Sequence, residues 1–310
     1  MLDNASKAFF HLLARSATLK KIASRYGMRR PSSFARRFIA GETVEEAIEA
    51  ARQVEASGLL QTLDYLGESV ATLKEADAAT RDYLRVVDAI INAGIGRNLS
   101  LKLTQLGLDV DRASAVDNLR RILERADKFF VRLDMESSHY TETTLGIFET
   151  LWQQNYRNIG VVLQADLHRT EEDAERIIAL GARIRLVKGA YREPATVAYP
   201  KKADVDAAYA RLMRRLLLEG TYPAIATHDE AMIREAQRYA AEQHIAKERF
   251  EFQMLYGIRR DLQTSLVSQG YRVRVYIPFG RQWFPYFMRR LGERPANVGF
   301  VVRGIADEAR

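Results

Sequence analysis

The sequence contains no cysteine among its 310 residues. This absence excludes disulfides, thiolate zinc sites, cysteine-ligated iron–sulfur clusters and a cysteine nucleophile. Histidine is also scarce, and no pair has the spacing that directs two imidazole rings at one metal ion; the five are His11, His139, His168, His228 and His244. We therefore expect no metal site.

Long apolar runs are missing as well. None approaches the roughly 18 to 20 residues that a membrane-spanning helix needs. The opening stretch, MLDNASKAFFHLLARSATLKK, has too many charges and too short an apolar segment for a secretory signal. These features predict a cytoplasmic protein, with contact at the membrane periphery as an open alternative.

The common phosphate-binding motifs are absent too. The stretch GIGRNL at 94–99 has two glycines, lacks the third glycine of the dinucleotide fingerprint, and precedes a predicted strand instead of following one. The P-loop pattern G-x-x-x-x-G-K-S/T does not occur. A nucleotide cofactor would therefore have to be held in another way.

Positive charge is in excess, with a formal net charge of +7. Eight basic residues lie between Arg15 and Arg37, and no acidic residue follows until Glu42. Such a stretch is typical of a surface for anionic lipid or nucleic acid, or of a solvated helical face. A nucleic-acid-binding module is a remote alternative, because only Tyr26 and Phe34 add aromatic rings to this stretch. We expect no nucleic acid partner.

The order of predicted elements indicates the fold. The first sixty residues have helical patterns, with a capping-box spacing at Thr43 and Glu46 and a terminating Gly58. Beyond them, helical patterns alternate with eight β-rich stretches, at 60–68, 98–107, 128–136, 158–167, 183–191, 222–229, 250–257 and 272–280. This alternation predicts parallel strands and a (β/α)8 TIM barrel, regular or distorted, of the α/β class with extra N-terminal helices. Residues 1–58 would form a helical arm and 59–310 the catalytic barrel; a doubly wound open sheet is the alternative.

Polar side chains are concentrated where the predicted strands end. The carboxyl ends of barrel strands carry the chemistry in such folds, and a purely structural barrel does not need titratable groups there. Each group alone has another explanation, such as an ion pair between Lys102 and Asp134 at the core edge, or a helix cap at His228. The set comprises Lys102, Asp134, Gln164, Lys188, Tyr191, Thr227, His228, Asp229, Leu255, Tyr256 and Tyr276.

Four motifs resemble those of proline dehydrogenases, and they occur in that family's order. They are RLVKGAY at 185–191, THD at 227–229, FEFQML at 250–255 and YIPFGRQWFPYFMRRLGE at 276–293. The resemblance runs from about residue 63 to residue 304. It implies an FAD-containing barrel that oxidises L-proline to 1-pyrroline-5-carboxylate, the first step of proline catabolism to glutamate. It also implies a membrane quinone as electron acceptor and 1-pyrroline-5-carboxylate dehydrogenase as pathway partner.

The closing helix would meet the substrate. Tyr286, Arg289, Arg290 and Glu293 stand at i, i+3, i+4 and i+7 and therefore share one helical face. By the resemblance, Arg289 and Arg290 clamp the proline carboxylate, and Lys102, oriented by Asp134, is a third cation. The resemblance implies ring walls at Leu255, Tyr276 and Tyr286, with Ala190 and Tyr191 nearby, and catalytic roles for Lys102, Asp134, Arg185 and Tyr276.

The same resemblance implies the flavin contacts. Arg185 would reach the reactive edge of the isoalloxazine, where a cation stabilises charge that develops in the reduced ring. Gly189 would allow the backbone to approach closely, and Lys202 or Lys201 would meet the phosphates. The implied cofactor-binding residues are Gln164, Arg185, Val187, Lys188, Gly189, Ala190, Lys202, Thr227, His228, Glu293 and Phe300.

Two departures from the family pattern concern the substrate. Arg192 stands where the family often has a second aromatic residue after KGAY, and Glu230 follows THD. The alternative substrates are other cyclic amino acids, such as hydroxyproline or pipecolate, because the ring walls would differ little between them.

Overall fold

Eight parallel strands close into a barrel in the computed structural model, which describes Met28 and residues 33–293, with the backbone alone at 34 and 291–293. Each strand pairs with the next along the chain, and β1 pairs with β8. The strands are β1 (Leu60–Tyr65), β2 (Asn98–Leu101), β3 (Phe130–Leu133), β4 (Ile159–Gln164), β5 (Ile184–Val187), β6 (Ala224–Ala226), β7 (Glu251–Leu255) and β8 (Val273–Phe279). The prediction of a (β/α)8 barrel is confirmed, and the open-sheet alternative is wrong.

Among the described residues, a helix follows every strand, and one more helix precedes β1. The helices are α1 (Val44–Ala56), α2 (Leu73–Ala93), α3 (Arg112–Arg125), α4 (Ser138–Gln153), α5 (Thr170–Ala179), α6 (Lys202–Glu219), α7 (Glu230–Glu242), α8 (Arg260–Ser268) and α9 (Trp283–Glu293). Short 3-10 turns lie at Phe34–Arg37, Thr104–Leu106 and Lys247–Arg249.

Helix α1 begins as the sequence predicts. The Thr43 side chain accepts from the Glu46 backbone N–H while the Glu46 carboxylate accepts from the Thr43 backbone N–H, which satisfies two otherwise unpaired donors. The helix packs against β1 and β8. The predicted division at residue 58 stays a prediction, because residues 1–27 and 29–32 of the arm lie outside the described residues.

The predicted stretches locate all eight strands but overestimate their lengths. In the second stretch, only Asn98–Leu101 is a strand, and the chain then turns through Thr104–Leu106. The last strand was expected to end at Tyr276, and this was wrong: β8 continues for three residues, because β1 pairs with it as far as Tyr65 opposite Phe279. Tyr276 is therefore in the middle of a strand.

The aromatic residues of α9 explain how this helix is attached. Trp283, Phe284 and Phe287 are buried in a cluster with Phe38 and Ile39 from the segment before α1. The indole of Trp283 also donates to the Glu42 carboxylate over 2.9 Å. One side of α9 is thus a packing surface, and its other side remains available to the barrel opening.

The barrel interior contains a buried ion pair near its N-terminal end. Glu251 on β7 accepts two hydrogen bonds from Arg274 on β8, over 2.7 and 2.9 Å, and a third from the Tyr222 hydroxyl. Burial acts to raise the pKa of Glu251, but the charge of Arg274 and these hydrogen bonds outweigh it, and the pKa lies below its ordinary value.

This lowered pKa predicts a pH-dependent contribution to stability. A carboxylate with a depressed pKa in the folded state stabilises the fold above its unfolded pKa, about 4.3 for Glu, and loses that contribution as the pH falls through the folded value. We expect the advantage of the wild type over Glu251→Gln in unfolding free energy to be full at about pH 7 and to shrink below about pH 4. Denaturant unfolding across this range measures it; a difference that stays constant would contradict the assignment.

Within the described part of the chain, no helix is both long and apolar enough to span a membrane. The same residues contain no group of three or more histidine, aspartate or glutamate side chains placed to hold a metal ion.

Candidate active site

The C-terminal ends of the strands bring most of the predicted site residues to one end of the barrel. Lys102, Asp134 and Thr227 each come directly after a strand, and Gln164 and Leu255 each end one. Parallel strands in a closed barrel expose these ends at one opening. The residues are therefore assembled by the topology, although they lie far apart in sequence.

Asp134 joins two of these side chains. Its Oδ1 accepts from Arg185 Nη1 over 2.6 Å, and its Oδ2 accepts from the Tyr276 hydroxyl over 2.6 Å. The Arg185 guanidinium also lies 5.3 Å from the centre of the Tyr276 ring. Burial and then the negative charges of Asp134 and Asp64 raise the pKa of Tyr276 well above its ordinary value. The phenol therefore stays protonated and donates.

Lys102 pairs with a different carboxylate from the predicted one. Its Nζ lies 3.5 Å from Oδ1 of Asp64 on β1, and both side chains are buried. Asp134 is engaged by Arg185 and Tyr276 instead, so the expectation that it orients Lys102 directly is corrected. Burial acts to lower the pKa of Lys102, but Asp64 and then Asp134 raise it above its usual range. Lys102 is therefore a permanent cation.

A small pocket lies between the end of β1 and α9. Its walls contain two cationic side chains, Lys102 and Arg289. Arg289 Nη1 donates to the Glu68 carboxylate over 2.8 Å, and this contact is partly buried. The full lining is Leu66, Gly67, Glu68, Lys102, Gln282, Pro285, Tyr286 and Arg289. The pocket thus presents two cations and an apolar wall to the same space.

Helix α9 places the other predicted substrate residues beside this pocket. Tyr286 is buried, and the Arg290 guanidinium lies 5.1 Å from the centre of its ring. The Glu293 side chain and Phe300 lie outside the described residues, so their predicted cofactor contacts stay predictions.

Tyr191 belongs to the same region. Burial raises its pKa to about 12, while the nearby positive charges of Arg289 and Lys102 act in the opposite direction. Two bonds hold the loop that follows Tyr191: the Glu193 carboxylate accepts from the Ser138 backbone N–H over 2.7 Å and from its hydroxyl over 2.5 Å, at the start of α4. The loop is therefore tied to a neighbouring helix.

The predicted flavin residues lie around β4, β5 and β6. Gln164 donates its amide N–H to the Glu136 carbonyl over 3.0 Å, which fixes the plane of the amide. His228 Nε2 accepts from the Leu255 backbone N–H over 2.9 Å, so this ring joins β6 to β7. The alternative role as a helix cap is filled by Asp229, whose carboxylate accepts from the Ala231 N–H.

The lysines predicted near the cofactor form ion pairs. Lys188 contacts Asp206 and also Asp229, the latter over 2.7 Å. Lys202 contacts the same Asp206. Val187 ends β5, and Lys188 follows it directly, ahead of Gly189 and Ala190. This cluster of two lysines and two aspartates lies just after β5, just after β6 and in the first turns of α6.

Gly189 occupies a position that a side chain cannot share. Its φ of +118° is in the region that favours glycine, and an added Cβ would lie 2.0 Å from Oδ2 of Asp166. The backbone between Lys188 and Ala190 is therefore bare on the side that faces Asp166.

We expect Gly189→Ala to displace this segment and to weaken FAD binding. A fluorescence titration of the unloaded protein with FAD measures the affinity. Gly94→Ala is the matched control, because Gly94 also has positive φ, at +68°, but has no atom within 4 Å of an added Cβ. Both variants carry a backbone strain of about 1–2 kcal/mol, so equal FAD affinities would contradict the role of Gly189.

Five polar residues at the site were not predicted. The signal in the sequence was a polar residue inside a strand, as for Asp64 and Gln253, or three residues after one, as for Glu68 and Glu136. Glu136 is buried, and its carboxylate accepts from the Thr104 backbone N–H and hydroxyl, over 3.3 and 2.7 Å. It thereby joins the segment after β2 to the segment after β3. The unpredicted residues are Asp64, Glu68, Ser100, Glu136 and Gln253.

Comparison with known proteins identifies close relatives. The family model described as Proline dehydrogenase matches residues 47–303. Proline dehydrogenase 1 of Bacillus subtilis (strain 168) is 44% identical over 96% of this chain and 97% of its own length. The Proline dehydrogenase of Deinococcus radiodurans is 44% identical over 88% of this chain and 90% of its own length.

Larger proteins match with part of their length. The Bifunctional protein PutA of Escherichia coli (strain K12) is 30% identical over 87% of this chain, which covers 24% of that protein. A crystal structure of proline utilization A from Bdellovibrio bacteriovorus, inactivated by N-propargylglycine, has a TM-score of 0.77 and 28% identity. That match covers 83% of this chain and 32% of the other.

Proposed function

The chain belongs to the proline dehydrogenase family and is an enzyme of proline oxidation, the first step of proline catabolism. We propose that it converts L-proline to 1-pyrroline-5-carboxylate with FAD bound at the C-terminal end of the barrel. The substrate lies in the pocket between β1 and α9.

One observation carries the substrate assignment: Lys102 and Arg289 line the same pocket. Two cations on the walls of one pocket suit a carboxylate, and the arginine fork can bind it with two parallel hydrogen bonds. Arg289 donates to Glu68, so a substrate carboxylate would share the guanidinium with this internal carboxylate or take its place. Tyr286 and Leu255 supply apolar surface for the saturated ring, with Arg290 and Tyr191 beside it.

The residues of the chain would orient the substrate and exclude water. Lys102 and Arg289 hold the carboxylate, which fixes the position of the ring carbon that loses its hydride. Tyr276 stays protonated and is held by Asp134, so its hydroxyl and ring keep one orientation. The ring nitrogen must be unprotonated for the oxidation, and the positive charges of Lys102 and Arg289 on the pocket walls favour that form.

The donor set fits a flavin. Arg185 gives a fixed cation, and Gln164 gives an amide whose plane is set by Glu136. FAD, when bound, accepts the hydride. Lys202 or Lys201 would meet its phosphates, Lys202 by exchanging its Asp206 partner, and Lys188, Thr227 and His228 would line the cofactor.

The partners follow from the chemistry. Reduced flavin needs an electron acceptor, and we propose a membrane quinone. The basic stretch from Arg15 to Arg37 would aid contact with an anionic membrane surface, although most of it lies outside the described residues. A dehydrogenase that oxidises 1-pyrroline-5-carboxylate would consume the product.

Steady-state turnover with an artificial electron acceptor tests the proposal. The FAD-loaded protein is assayed with L-proline, D-proline, hydroxyproline and pipecolate. We expect the largest kcat/KM for L-proline and no turnover after the FAD is removed. A larger kcat/KM for hydroxyproline or pipecolate would make that amino acid the preferred substrate in place of L-proline. Turnover without flavin would refute the proposal that FAD is the cofactor.

A further inference from the structure

A buried amide links the site to the centre of the barrel. Gln253 lies on β7, and its Oε1 accepts from Arg185 Nε over 2.5 Å, while its Nε2 donates to the Glu251 carboxylate. Arg185 lies on β5, and β6 separates the two strands in the sheet. The Gln253 side chain therefore reaches past β6 on the inside of the barrel to contact Arg185.

The two neighbours fix which way this amide points. A guanidinium only donates and an ionised carboxylate only accepts, so the amide oxygen must face Arg185 and the amide nitrogen must face Glu251. A flipped amide would put donor against donor and acceptor against acceptor. Glu251 is itself held by two bonds from Arg274 and one from Tyr222. The amide is thus anchored on a rigid ion pair.

Arg185 is held from three directions. Its Nη1 donates to Asp134, its Nη2 to the Ser100 hydroxyl over 3.0 Å, and its Nε to Gln253. These bonds use three of the five N–H groups of a guanidinium. Asp134 and Ser100 lie toward β3 and β2, whereas Gln253 is the contact from the opposite side. Without it, the guanidinium could turn about its Cδ–Nε bond toward β2 and β3.

We propose that Gln253 is a positioning residue that fixes the Arg185 guanidinium in the orientation the reaction uses. This inference rests on the proposed function, because it takes Arg185 as the cation at the reactive edge of the flavin. Gln253 acts only through Arg185 and touches neither substrate nor cofactor. Glu251, which is itself held by Arg274, anchors the Gln253 amide from the N-terminal end of the barrel.

Gln253→Met tests the proposal, because it keeps the length of the side chain and removes both amide bonds. Loss of a group that orients a site residue typically costs about 10- to 100-fold in activity. We expect kcat for L-proline to fall by about that factor while KM changes little. In a crystal structure of the variant without FAD, the Arg185 guanidinium is expected to be rotated away from its wild-type position.

Gln61→Met is the matched control. Gln61 on β1 is also a buried barrel glutamine, and its amide donates to the Gly96 carbonyl, away from Arg185. Both variants are expected to unfold at a lower temperature than the wild type. Only Gln253→Met is expected to lower kcat. Equal kcat values in the two variants, with Arg185 unmoved in the crystal structure, would overturn the proposal.

Gln253→Glu provides a rescue. Two carboxyls at hydrogen-bond distance share one proton, so the protonated side chain accepts from Arg185 and donates to Glu251 as the amide does. We expect this variant to recover most of the kcat that Gln253→Met loses. A kcat as low as that of Gln253→Met, with Arg185 in place, would overturn the positioning role.

Assays of the wild-type protein distinguish a failure of the proposed function from a failure of the role of Gln253. If the FAD-loaded wild type does not oxidise L-proline, the proposed function fails. If the wild type is active and Gln253→Met equals it, the function stands and the role of Gln253 fails.

Discussion

Arg289→Met is expected to raise the KM for L-proline about 100-fold, because it removes the fork that binds the substrate carboxylate. Hydrogen bonds between charged groups contribute about 1.5–3 kcal/mol each, and about 2.8 kcal/mol corresponds to a factor of 100. The carboxylate does not change during the oxidation, so it is bound equally in the ground and transition states, and kcat should change much less than KM. Steady-state kinetics over a wide proline range measures both constants.

FAD affinity and an exposed arginine provide the controls. FAD affinity should be unchanged in Arg289→Met, since this residue lines the substrate pocket with Lys102. Arg281→Met removes an exposed arginine two residues before α9 and should leave KM at the wild-type value. If Arg289→Met keeps the wild-type KM, or if it loses FAD, the assignment of Arg289 to the carboxylate is wrong.

Asp134→Asn is expected to reduce both stability and catalysis. The substitution removes the negative charge that accepts from Arg185 and Tyr276 in a nearly water-free region. Removing one partner of a buried pair typically costs about 3–5 kcal/mol, and we expect the unfolding free energy to fall by about 3 kcal/mol. An asparagine replaces one of the two accepting oxygens with an NH2 donor, so it cannot accept from Arg185 and Tyr276 as the carboxylate does, and kcat should fall by about 100-fold or more. Denaturant unfolding and steady-state kinetics measure the two effects.

Asp173→Asn separates these two effects. Asp173 on α5 is a carboxylate with a side chain 2% exposed, against 12% for Asp134, and it pairs with Arg169, which is not among the site residues. This variant should lose stability and retain its kcat when assayed well below its unfolding temperature. Similar kcat values in the two variants would show that Asp134 acts on the fold alone.

The sequence predicted the barrel because strand and helix patterns alternate visibly. Each β-rich stretch contains a strand, and Lys102, Asp134, Gln164, Thr227 and Leu255 come at or directly after the strand ends, as expected. The ends of the strands were less predictable. Tyr276 is in mid-strand, because pairing with β1 extends β8, and no local pattern in the sequence contains that pairing.

The contacts inside the barrel could not be predicted from the sequence. Lys102 was expected beside Asp134, and it lies beside Asp64, because the choice between two carboxylates depends on the register of β1, β2 and β3. The contact between Gln253 and Arg185 could not be predicted for the same reason. Gln253 alternates with Glu251 along β7, and its contact with Arg185 exists only once the fold places β5 and β7 on either side of β6.

The most direct test of the account is an anaerobic mixing experiment. The FAD-loaded protein is mixed with L-proline without any electron acceptor, and the absorbance of the oxidised flavin is followed. The account predicts that L-proline bleaches the flavin in the wild type, that D-proline does not, and that Arg289→Met requires a far higher L-proline concentration. A flavin that stays oxidised in the presence of saturating L-proline would contradict the assignment of this site to proline oxidation.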